Sequence, residues 1–98
     1  MFVKLSGAWG ASSSEGFTVI RGGSPMTGFY IEYSQGERGL RLTLENLMPG
    51  SVQPIFADHI GPWLPPHAQE ELSQGGQRKI AQRIVEAMQF LGDRFAVA

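Results

Sequence analysis

The sequence predicts an α+β domain in two layers: an antiparallel sheet of four to six strands with one main C-terminal helix on one face. Three observations carry this. Residues 77–91, QRKIAQRIVEAMQFL, place Ile80, Ile84, Ala87, Met88 and Leu91 at helical spacing in one apolar stripe, with Arg78, Lys79, Gln82, Arg83 and Glu86 outside it. Residues 28–34 (GFYIEYS) and 39–45 (GLRLTLE) alternate with the period of a strand. The chain of 98 residues is one domain, 1–98, large enough to bury a core without staples. A helix this short is marginal in water, so its stripe needs a sheet to lie on.

Taken in order, residues 1–5 fit a short first strand, and residues 7–16, GAWGASSSEG, read as a Gly- and Ser-rich loop. Trp9 within it either folds back over a core edge or stands out as a contact residue. Residues 17–21, FTVIR, are β-branched and aromatic and read as a strand, ended by Gly22-Gly23-Ser24-Pro25 as turn residues. In the next run Phe29, Ile31 and Tyr33 share one face, and Tyr30, Glu32 and Ser34 the other. The loop Gln35-Gly36-Glu37-Arg38 leads to a strand with Leu40, Leu42 and Leu44 on one face. Two alternating runs around a short Gly-containing loop form a hairpin. Its register pairs Ser34 with Gly39, Glu32 with Arg41, Ile31 with Leu42 and Phe29 with Leu44.

Residues 46–51, NLMPGS, read as a turn, and residues 52–57 as a strand that Pro54 confines to an edge. Residues 58–67, DHIGPWLPPH, hold three prolines and can be neither helix nor central strand; they predict a stiff crossover pinned by Trp63. Glu70, Glu71 and Ser73 allow an early helical turn, with a break or a late start near Ser73 because Gly75-Gly76 weakens the run. The helix spans about 73–91, Gly92 is its C′ residue, and residues 94–98 alternate as a final short strand. The predicted core comprises Phe29, Ile31, Leu40, Leu42, Leu44, Ile80, Ile84, Met88 and Leu91.

Composition narrows the function classes. Eight Lys plus Arg against nine Asp plus Glu give a formal charge of −1, which argues against nucleic acid as a partner. With no cysteine there is no disulfide, thiol nucleophile or thiolate zinc site. The N-terminus lacks the continuous apolar run of a signal peptide, and no stretch reaches the ~18 apolar residues of a membrane span. The expectation is a cytoplasmic protein with no membrane partner.

No chemical motif emerges. Gly22-Gly23 completes neither a phosphate loop nor a dinucleotide fingerprint. His59 and His67, even with Asp58, match no metal-ligand spacing. Ser12, Ser13 or Ser14 with His59 and Asp58 lack the GxSxG elbow of a triad. Glu70 and Glu71 are sequence neighbours and face apart. The reading is therefore non-enzymatic, with no catalytic residue, no cofactor and no metal. Arg78, Lys79 and Arg83 form a small basic patch, read as a solvated face with docking of an acidic partner as the alternative.

The second half, through the alternating strand pair, the segment Ile60-Gly-Pro-Trp63-Leu-Pro-Pro66, the helix with Ile80 and Ile84, and the closing Gly92, resembles small immunity proteins of bacterial polymorphic-toxin systems, of the Immunity protein 74-like kind. The Trp-x-Pro-Pro step is the distinctive part. The resemblance spans roughly residues 17–97 and carries no assigned functional residues. It implies an inhibitor that binds and neutralises a cognate toxin protein; a homodimer is compatible with it. The competing class is a small accessory or structural subunit of a larger bacterial or phage assembly. The sheet face turned away from the helix presents Tyr30, Glu32, Arg41 and Thr43, extended by the loop 35–38, and this is the expected partner-binding surface.

Overall fold

A computed structural model describes residues 1–44 and 50–98. Strands β1 (Phe2–Lys4), β2 (Trp9–Ser13), β3 (Phe17–Ser24), β4 (Gly28–Gln35) and β5 (Arg38–Thr43) form one antiparallel meander in chain order. Helix α1 (Gln74–Phe90) packs on it, and β6 (Gln53–Ile55) pairs in parallel with β7 (Phe95–Val97). This is the small two-layer α+β domain that the periodicities predict.

The β4–β5 register is the expected one: Ser34 faces Gly39, Glu32 faces Arg41 and Ile31 faces Leu42. Beyond the end of β5, the Leu44 amide donates to the Phe29 carbonyl at 2.9 Å. The turn is tighter than the four-residue loop expected, since Gln35 and Arg38 already pair. Gly36 has φ +58°, the sign that a two-residue type II′ turn requires at its first central position.

One face of the sheet is dry. Ala11, Phe17, Val19, Ile31, Tyr33, Leu40 and Leu42 meet Ile80, Ala81, Ile84, Val85, Ala87 and Met88 of α1, all buried. Of the predicted core, Phe29 and Leu91 are only partly buried and pack at its margin. Both helix ends are closed locally. Ser73 is the N-cap, its Oγ accepting from the Gly76 amide at 3.0 Å. At the other end the Gly92 amide donates to Gln89 and the Asp93 amide to Met88, a Schellman closure that requires the positive φ of Gly92.

Three expectations are corrected. Residues 9–13 are a strand: β2 pairs with β1 and β3 despite its Gly/Ser composition. Its small side chains are what α1 packs closely against, Ala11 being fully buried and Ser13 nearly so. Gly22 and Gly23 are also strand residues, paired with Tyr30 and Phe29, and the chain turns only at residues 25–27. The helix starts late, as expected: Ser73 is its N-cap, and Gly75-Gly76 lie in its first turn, where that cap offsets their poor propensity. Glu70 and Glu71 lie outside it, in a bend and irregular backbone and not in an early helical turn. The expected turn at 46–51 falls mostly outside the described residues.

Pro54 sits within β6 as an edge-strand proline. The ladder is made by its neighbours: the Gln53 amide donates to Arg94 at 2.8 Å and the Ile55 carbonyl accepts from Ala98 at 3.0 Å. The proline-rich crossover is pinned as expected. Trp63 is 5% exposed, with its ring centroid 6.3 Å from that of Tyr33, and the next residue, Leu64, donates its amide to the Gly39 carbonyl at 2.8 Å. Arg38 of β5 then reaches Glu70 at 2.6 Å. The outer edge of β5 is thus capped by a segment that cannot itself extend the sheet.

Candidate partner-binding face

Strand parity sends Ser12, Thr18, Ile20, Tyr30, Glu32, Arg41 and Thr43 to the side opposite α1. Among the described residues no element packs over this side, and its large side chains are half-buried or exposed. The structure brings the four expected site residues together, because Tyr30 pairs with Thr43 and Glu32 with Arg41 across adjacent strands.

Their order comes from a residue that the sequence reading treated as a turn. A Cβ on Gly22 would stand 2.5 Å from the hydroxyl end of the Tyr30 ring, so that end of the ring lies over the bare backbone of β3. The Arg41 guanidinium is 4.2 Å from the Tyr30 ring centroid and bonds Glu32 Oε1 at 2.5 Å. Gly22, Tyr30, Arg41 and Glu32 therefore form a layered cluster across three strands, with Arg41 held between a ring and a carboxylate. Such a cluster presents an aromatic surface, a cation with spare donors and a carboxylate at fixed spacing. That arrangement suits recognition of another polar-apolar surface and contains no activated nucleophile.

The other candidate groups are occupied elsewhere. Arg83 leaves the expected basic patch: its guanidinium donates to the Tyr33 hydroxyl at 2.9 Å and lies 4.6 Å from the Phe17 ring centroid, whereas Arg78 and Lys79 are exposed. Burial pushes the Tyr33 hydroxyl's pKa up, partly offset by Arg83, and the same hydroxyl bonds Gln35. Ser12, Ser13 and Ser14 bond Thr18, the Glu15 amide and the Met1 amino group respectively. His59 packs beside Phe56, and His67 bonds Glu70. Arg38 first, and then His67, hold the Glu70 carboxyl below its usual range. Among the described residues no three His, Asp or Glu side chains cluster as metal ligands, and no helix is long and apolar enough to cross a membrane.

Trp9 combines the two readings offered for it. It is 39% exposed, yet its indole N–H donates to Asp93 at 2.7 Å, and the Lys4 ammonium lies 4.8 Å from its ring centroid. Arg21 reaches the same Asp93 oxygen at 3.3 Å, so the residue after the helix stop ties two strands to α1. With Gly22, Gly23 and Phe29, Trp9 and Arg21 line an open cleft of about 300 Å³. Asp93 carried no sequence signal beyond its place after Gly92. Comparison of the chain with family models, curated proteins and solved structures gives no match.

Proposed function

We propose that the protein is a non-enzymatic binding module whose uncovered sheet face docks a partner protein, and that the partner is a cognate bacterial toxin which it neutralises. The observation that carries the docking reading is the Gly22–Tyr30–Arg41–Glu32 cluster, ordered in the free protein on a rigid sheet. Tyr and Arg dominate binding hot spots, and side chains already held in place lose little entropy on association. The choice of a toxin as partner rests on the resemblance of Ile60 to Pro66 and of the helix that follows. Occlusion of the toxin's active site would supply inhibition without any chemistry in this chain.

The test is co-expression and co-purification with the product of the adjoining gene, scored for both complex formation and rescue of growth. Tyr30→Ala and Arg41→Ala should each weaken that complex by more than about 1 kcal/mol while leaving helix content unchanged. Binding at full affinity by both variants would move the interface off this face. A complex that forms without rescuing growth would favour the accessory-subunit reading over the toxin.

A further inference from the structure

We infer that the β1 edge pairs with itself, joining two copies of the chain through an antiparallel β1–β1′ ladder into one continuous sheet. The two edges of the meander are finished differently. β5 is capped by the crossover at Leu64, whereas among the described residues no strand pairs with the outer side of β1. The Ser14 amide bonds the Met1 carbonyl and the Leu5 amide bonds the Gly10 carbonyl. Alternation of an antiparallel ladder then turns the Val3 main chain inward to β2 and the Phe2 and Lys4 amides and carbonyls outward.

Those outward groups are self-complementary. With Val3 on a two-fold axis, Phe2 of each copy lies opposite Lys4 of the other, and the two pairs satisfy every outward amide and carbonyl of both strands. Shifting by two residues places Lys4 against Lys4, which charge repulsion disfavours, or Phe2 against Phe2, which carries Lys4 past the end of the facing β1. A shift of one would set outward groups against inward ones and reverse the faces. Charge and parity therefore select one register.

The side chains fit the same register. Val3 is 64% exposed on the open face and would meet its own copy across the axis. On the helix face Phe2 is 5.6 Å from Phe90, itself 49% exposed, and the aliphatic stem of the facing Lys4 would cover both rings. An axis perpendicular to the sheet keeps both helices on one side and both Tyr30 clusters on the other. This pairing depends on β1 alone and stands apart from the toxin reading.

The chain has no cysteine, so Val3→Cys introduces a sole thiol. Residues facing each other in a non-hydrogen-bonded antiparallel pair have Cα atoms about 4.5 Å apart, within disulfide range. Under mild oxidation Val3→Cys should form a covalent dimer at least about tenfold faster than Met26→Cys, which is almost fully exposed at a distant turn. Sedimentation of the unmodified chain should show twice the monomer mass rising over about a hundredfold range of concentration, as a short edge implies a weak dimer. Lys4→Pro removes an outward amide that β1–β2 pairing does not use, and Val3→Lys sets two ammonium groups on the axis. Each should abolish the dimer with an unchanged unfolding midpoint of the monomer. Equal cross-linking of the two thiols, or monomer at every concentration, overturns the proposal. So does a dimer that survives Val3→Lys.

Discussion

The two faces of the meander are made by neighbouring residues of the same strands, yet they follow opposite rules. On the helix side Ile31, Tyr33, Leu40 and Leu42 lie between 0% and 9% exposed, and identity is set by volume. On the open side Tyr30, Glu32, Arg41 and Thr43 stand one position away, and identity is set by lateral contacts: a ring over glycine, a cation over a ring, a carboxylate on the cation. The first face stabilises the fold and tolerates little change. The second is less constrained by packing, and substitutions there are expected to cost the fold less.

The largest test of the contrast lies on the dry side. Trp63 joins the crossover to the core, and Trp63→Ala should cost about 3–5 kcal/mol in chemical unfolding, because the cavity beside Tyr33 cannot be filled by a segment stiffened with proline. A variant that unfolds with the parent would make Trp63 a surface residue in solution and erase the distinction between the faces. A second test places one substitution on each side of a single strand. Ala11→Leu overpacks the contact with α1 and should cost about 1–3 kcal/mol, whereas Ser12→Leu, on the open side, should stay within about 0.5 kcal/mol. Equal costs would mean that something covers the open face.

How far the sequence revealed this arrangement depends on how local each signal is. The helix stripe, Ser73, Gly92 and the β4–β5 register were legible because capping, helical spacing and alternation are decided within a few residues. The four open-face positions followed from that register. β2 was not legible, because the small Ala11 and Ser13 suit a strand only where a helix approaches closely, and the sequence of β2 does not contain that helix. Gly22 was misread for the same reason: its value lies in Tyr30 on the next strand, while a Gly-Gly pair on its own signals a turn. The parallel β6–β7 pair joins segments some forty residues apart, and no pattern in either announces the partner.

A smaller effect sharpens the edge between the faces. The Arg38–Glu70 pair fastens the crossover along β5, and Glu70 is held below its ordinary range by Arg38 and then by His67. A carboxyl whose folded pKa is depressed contributes stability above its unfolded value and loses it as pH falls through the folded one. Glu70 is exposed and its bonds with Arg38 and His67 are screened by solvent, so the expected readout is local. Amide exchange at Leu64, bonded to Gly39, should quicken relative to the core when the medium is acidified through that range, and Glu70→Gln should remove the difference. If Leu64 and the core lose protection together, the crossover is not a separate latch.

The smallest expected effect belongs to the open face itself. Arg41 and Glu32 are 53% and 41% exposed in their side chains, so solvent screens the attraction even at short range. A double-mutant cycle with Glu32→Gln and Arg41→Gln should give a coupling of about 0.2–1 kcal/mol, falling as salt shortens the Debye length. The same cycle read on partner binding should give a larger value, since a docked partner would exclude water from the pair and leave Arg41 dependent on Glu32 for its orientation. The ratio of the two couplings is the quantity that matters. A binding coupling no greater than the folding one would show that Arg41 and Glu32 stay wet in the complex, and would confine recognition to the Tyr30 side of the cluster.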